Sequence, residues 1–239
     1  MKPKRYTFRK ALSSVRTGNK NTPPPGYVTV DASIYIIDTE LRFGDKVVRT
    51  KLDCKTMTRQ IMGIVNDILS PAKVRINVKR CQTIPPSENS GGYAAEDMFA
   101  VETMFDKERL MDPDAIDIFV VPLIPNNIMG YAVNPEMGAA TSYIVMSEYD
   151  PSWKKYNNTT FASTLAHEIC HDLGILKHSS GPSDLMAATA TPGTLLTASQ
   201  RKTIFEWAKK KYGAAVKNRM SRMKTIRHIG KQSVSVDKH

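Results

Sequence analysis

The stretch Thr164–Met186, TLAHEICHDLGILKHSSGPSDLM, decides how the rest of the chain is read. On a helix His167 and His171 are four residues apart, so their rings stand one turn above the other on a single face, where two imidazoles can grip one ion. Glu168 projects from the edge of that face and can reach a water on the metal without being a ligand, the position of a general base. Phe161, Ala162, Leu165, Ala166, Ile169 and Leu173 fall on the opposite arc, which predicts an amphipathic helix with one side to bury. Gly174, three residues after His171, lets that helix stop in a left-handed conformation and swing the chain back. The returning chain brings His178, and three protein ligands with one open position are what a catalytic zinc requires. Met186 follows in the segment SDLMA, where a tight turn would set a thioether beneath the three imidazoles.

These residues resemble the zinc site of the metzincin metallopeptidases, and within them most of all the matrixins. His167, Glu168, His171 and Gly174 match HExxHxxG residue for residue, while His178, Ser179, Ser180, Pro182, Leu185 and Met186 resemble the third ligand and the Met-turn. The family spacing would put the third ligand at Lys177; here the histidine comes one position later, read as a one-residue insertion after the glycine. The resemblance implies an α+β domain: a mixed, twisted sheet of about five strands with an edge strand over the zinc cleft, packed on the active-site helix and two further helices. It also implies Zn2+ as cofactor, Glu168 as the general base, a polypeptide substrate and cleavage inside the chain. Gly130, Tyr131, Ala132 and Val133 are then the edge strand that an extended peptide joins by strand addition.

An HExxH alone is short enough to arise by chance on a solvated helix. Two further facts argue against chance here. Of five histidines, three belong to this motif and the other two, His228 and His239, lie in the terminal tail. The glycine, the third histidine and the methionine then agree with it independently.

A chain of 239 residues suits one domain with appendages, and no apolar run is long enough to cross a bilayer, so a soluble protein is expected. The net charge of +11 is not spread over it. Residues 1–26 hold seven Lys or Arg and no acid, and residues 214–239 hold seven against Asp237 alone, so the segment between is slightly acidic. The expected organisation is a basic flexible arm (1–26, closing on Pro23, Pro24, Pro25 and Gly26), a zinc domain (27–213) and a basic tail (214–239). The arm has no apolar centre and is not a secretory signal; its acid-free, Arg-containing make-up faintly resembles an organelle transit peptide, and the compartment stays open. Cys54, Cys81 and Cys170 are an odd number, with Cys170 a buried thiol; a Cys54–Cys81 bridge would need an oxidising compartment, and reduced thiols are the default. Nothing around Cys81, in KRCQTIPP, matches a matrixin latency segment.

Tyr27–Asp38 is rich in Val, Ile and Tyr and predicts the first strand, with a hairpin through Gly44 into Lys46–Lys51. Met57, Ile61, Ile64, Val65, Ile68 and Leu69 recur at helical spacing and stop before Pro71. Lys73–Thr83 reads as a second strand, and Ala94–Leu110 as a helix. The apolar run Ala115–Leu123 is a central strand covered on both faces. Ile128–Pro135 and Thr141–Tyr149 supply two more strands, and the latter with Trp153 resembles the family's approach to the zinc helix. Thr197 and Gln200 form a capping box ahead of a helix whose face carries Ile204, Trp207, Ala208 and Lys211. In the tail, Met220, Met223, Ile226 and Ile229 are spaced by three, as on an amphipathic helix at an anionic surface; a solvated tail is the plainer reading.

The leading expectation is a zinc metalloendopeptidase. One rival is a nucleic-acid or anionic-surface binder acting through residues 1–26 and 214–239, although no base-reading motif or aromatic platform accompanies the charge. The other is an inactive metzincin-like scaffold whose displaced third histidine holds metal poorly.

Overall fold

Val, Ile and Phe fill IDIFVV, and β-branched and aromatic side chains favour extended chain. In the computed structural model this run is the middle strand β5 (Ile116–Val121), buried at all six positions. The structure describes residues 25–43, 46–86, 110–112, 114–124, 128–134, 142–150, 154–188 and 192–212. The arm before residue 25, the helix expected over Ala94–Leu110 apart from Leu110 itself, Trp153 and the tail from residue 213 lie outside them, as do the surface contacts expected of arm and tail.

The chain forms an α+β domain. Strand β1 (Val28–Ile37) leads into a hairpin of β2 (Glu40–Phe43) and β3 (Lys46–Arg49), as the sequence predicts. A helical stretch follows: a turn at Cys54–Thr56 capped by Asp53, a π-helical segment at Met57–Ile61, an α-helix at Met62–Leu69 and a 3-10 turn at Ser70–Ala72. Pro71 therefore does not stop the helical chain but tightens its last turn, which closes on the left-handed Lys73 (φ 55°). Strand β4 (Val74–Ile84) returns parallel to β1, and β5, β6 (Gly130–Val133) and β7 (Tyr143–Ser147) complete a sheet in the order β4-β1-β5-β7-β6. Every neighbouring pair is parallel except β6 with β7. Parallel strands need crossovers, which is why the helices lie across the sheet.

The two faces carry separate cores. One packs Ile34, Ile36, Ile118 and Ile144 under the first helix, the site helix Asn158–Asp172 and the C-terminal helix over 198–212. The other holds Tyr35 stacked on Phe119 at 5.1 Å and Tyr143 edge-on to Phe119. Among the described residues no helix is long and apolar enough to cross a membrane.

The default of reduced thiols is corrected. Cys54 and Cys81 are not separate thiols; a disulfide joins the start of the first helix to β4, with 5.6 Å between the Cα atoms. The register that lays β4 beside the first helix brings together cysteines 27 residues apart, which spacing alone does not show. The site helix buries more than its apolar arc: Phe161–Cys170 is buried without interruption, its polar Ser163, Thr164, His167 and Glu168 included.

Candidate metal centre

Asn157 starts the site helix, its side chain accepting the Thr160 N–H at 2.9 Å, and fifteen residues later the helix ends at Asp172. The ending has two interlocked bonds, Gly174 N–H to the His171 carbonyl at 3.1 Å and Ile175 N–H to the Cys170 carbonyl at 3.0 Å. That pairing requires a left-handed residue after the cap. Gly174 supplies it with φ at 90°, and a Cβ there would collide with the Trp207 ring. The reversed chain carries Ile175, His178 and the turn to Met186 back toward the helix.

The protonation of two rings follows from their partners. His167 Nδ1 lies 2.7 Å from the Leu185 carbonyl, and His171 Nδ1 lies 2.5 Å from the Ile175 carbonyl. A carbonyl can only accept, so each Nδ1 is the donor and each neutral ring keeps a lone pair on Nε2. Burial disfavours the charged form of both: His167 is held below the ordinary imidazole value, and His171, with His167 beside it, is pushed down to about 4.

Those Nε2 atoms point at one another. The His167–His171 separation is 3.0 Å, and His178 Nε2 stands 3.2 Å from each. Two bare lone pairs at that distance repel unless a cation lies between them. A tetrahedral ion with bonds of about 2.0–2.1 Å would set its nitrogens roughly 3.3 Å apart, so the donor set fits zinc with little adjustment. It is the one cluster of metal-ligating side chains of this kind among the described residues. The ring that the extra residue had placed in question therefore converges with the other two. Lys177 is exposed on the same turn.

Glu168 is buried beside this triad, and burial pushes its carboxyl up to about 8 although the Ala132 N–H, donating to it, opposes the shift. Ala132 belongs to β6, the sheet edge, so this contact lays the strand against the site. Gly130 lies as close: a Cβ there would sit 3.3 Å from Glu168 Cγ and 2.6 Å from the Met146 sulfur. In the β6–β7 ladder the Ser147 N–H donates to the Met129 carbonyl at 2.7 Å. Strand alternation then turns residues 129, 131 and 133 toward β7 and the backbone of Gly130 and Ala132 outward.

Met186 is fully buried, in a turn where its N–H donates to Asp184 Oδ1 at 2.7 Å and its carbonyl accepts the Ser179 N–H at 2.7 Å. Sequence reasoning did not find the carbonyls of Leu185 and Ile175, or Asp184, which is held in turn by the Gln200 amide at 3.2 Å. A main-chain acceptor leaves no trace in residue type, so the first two had no signal to read. Asp184 stood inside the quoted motif as an unassigned carboxylate.

No protein-family model matches the chain, and no curated protein is significantly similar to it in sequence. Among solved structures it resembles metalloproteinase-II from Bacteroides fragilis, with a TM-score of 0.46 and 16% identity over 75% of this chain and 53% of that one. It also resembles archaemetzincin from Methanopyrus kandleri, with a TM-score of 0.48 and 12% identity over 78% of this chain and 98% of that one. The chain thus spans about half the length of the Bacteroides protein.

Proposed function

We propose that this chain is a zinc-dependent hydrolase and, more particularly, a metzincin-like endopeptidase. The observation that carries the proposal is the meeting of His167 and His171 Nε2 lone pairs at 3.0 Å, closed by His178, beside a buried carboxylate. His167, His171 and His178 hold the ion; when bound it supplies a Lewis acid that polarises a carbonyl and lowers the pKa of water at the open position.

The remaining work belongs to the chain. Glu168 takes a proton from the attacking water and later delivers it to the departing amine. The Ala132 N–H fixes the carboxylate meanwhile. An extended polypeptide lies along β6, where the outward Gly130 N–H and the outward carbonyls of Gly130 and Ala132 offer a donor and acceptors, with Tyr131 and Val133 holding the strand to β7. An open strand edge accepts a segment running past the site on both sides, which favours internal cleavage over trimming from an end. The HExxHxxG match, with Met186 at the sequence place of the Met-turn, keeps the matrixins as the metzincin branch with most in common, with one residue more before His178.

The test combines metal analysis of purified protein with cleavage of an unstructured polypeptide, with and without a chelator. One zinc per chain and internal cleavage that chelation abolishes and zinc restores are the expected results. Absence of bound or bindable zinc refutes the metal centre, and zinc without cleavage refutes the peptidase reading.

A further inference from the structure

Asp172 is a buried carboxylate that the chemistry above does not use. It directly follows His171 and is 4% exposed. Its Oδ1 accepts from Lys211 Nζ at 2.8 Å and from the Ser142 hydroxyl, and its Oδ2 accepts from the Tyr212 hydroxyl at 2.8 Å. Lys211 Nζ also donates to Ser142 Oγ at 3.0 Å, so the four side chains close into one network. Lys211 and Tyr212 come from the last turn of the C-terminal helix, about forty positions along the chain, and Ser142 from the residue before β7.

Burying an ion pair is a poor way to gain stability, because desolvation cancels much of the attraction and well-packed apolar residues do as well. What such a network does give is a unique position for the backbone that carries it. Here that backbone is the last turn of the site helix, where carbonyls run out of helical partners. The orientation of the His171 ring depends on that turn, since its Nδ1–H is fixed by the carbonyl of Ile175, just past the reversal. The C-terminal helix meets the same reversal a second time, with the Trp207 ring against Gly174.

We infer that Asp172, held by Lys211 and Tyr212, is a positioning residue for the metal site: the C-terminal helix fixes the end of the site helix and through it the aim of His171 at the ion. This rests on the zinc reading of the triad. The partners of a ligand's own support are expected to tune affinity as well as stability.

The experiment measures zinc Kd by chelator competition, the visible spectrum of the cobalt-substituted protein and the melting temperature of the metal-free form. It compares Lys211→Met, Tyr212→Phe and Lys211→Arg, with Lys79→Met as the control that removes the Lys79–Asp112 ion pair at the other edge of the sheet. Lys211→Met and Tyr212→Phe are expected to weaken zinc by about 10–100-fold and to alter the cobalt bands. Lys211→Arg is expected to recover most of the affinity, and Lys79→Met to bind as the parent does. If Lys211→Met and Tyr212→Phe lower only the melting temperature, leaving Kd and the cobalt spectrum as in the parent, the network is structural and the inference is wrong. If the parent itself takes up no zinc, the triad reading fails and this inference with it, a distinguishable result.

Discussion

Replacing Gly174 by alanine tests the reversal that brings the third histidine home. Two costs can be read from the structure. At φ 90° an L-residue brings its Cβ against the following carbonyl, about 1–2 kcal/mol. The same Cβ overlaps the Trp207 ring, which must shift in a packed layer, about 1–3 kcal/mol. Against these stands the lower entropy of the unfolded alanine chain, worth about 0.4–1 kcal/mol. The net expectation is a loss of about 1–4.5 kcal/mol, read by urea denaturation of the metal-free protein, with weaker zinc binding because the Ile175 carbonyl moves with the turn. Gly63→Ala is the internal control: that glycine sits in the first helix, and an added methyl group there would meet nothing within 4 Å, so alanine should stabilise by about 0.5–1 kcal/mol. Repeating Gly174→Ala in a Trp207→Ala background separates the two costs, since only the backbone strain then remains. Were Gly174→Ala to cost under about 0.5 kcal/mol, or the same with and without the indole, the account of this turn would be wrong.

Three further outcomes follow from the site and the core. Glu168→Gln should keep zinc and lose about 10²–10⁴-fold in peptide cleavage, compared at equal metal content; full activity in this variant removes Glu168 as the base. Lys177→Ala should leave zinc affinity unchanged, while His178→Ala should weaken it by more than about a hundredfold in chelator competition; the reverse pattern would make 177 the ligand position. Asp117 lies under the second face, where burial raises its carboxyl from the ordinary 3.8 to about 7 despite the Asp112 N–H on Oδ2 at 2.8 Å. Its folded form therefore binds a proton that the unfolded form releases, so its contribution is complete below about 3.8 and is lost as pH rises through about 7. Asp117→Asn escapes that loss. Discounted for relaxation around the buried carboxylate, it should gain about 1–2 kcal/mol on the parent between pH 4 and pH 7.5 in urea unfolding, and a gap that shrinks with rising pH contradicts the assignment.

The elements legible in the sequence are those whose pattern is local. Val28–Ile37, Val74–Ile84 and Ile116–Val121 announce themselves by β-branched runs, and the Thr197–Gln200 box is present with both bonds, at 2.7 and 3.2 Å. The helical spacing of Met57–Leu69 is equally clear, but the π-helical segment inside it is not. No residue type marks one, and it lies where the first helix meets the site helix, with Gln60 bonded to Asn158 at 2.7 Å. The sequence offered Cys54 and Cys81 as a pair that could bridge but could not decide that they do, because where β4 comes to lie is a long-range fact.

By itself, the sequence determined which side chains could bind a metal and how far apart they stand along the chain: an i, i+4 histidine pair, an acid beside the first and a glycine to end the helix. Those follow from the helical repeat and from glycine's freedom at positive φ, which are properties of a few consecutive residues. Only the tertiary structure shows that the His178 ring converges with those of His167 and His171, that Leu185 and Ile175 hold the imidazole protons away from Nε2, and that Asp172 is tied to Lys211 and Tyr212. Each of these depends on where a main-chain oxygen or a distant helix comes to rest, and that is set by burial of the whole core.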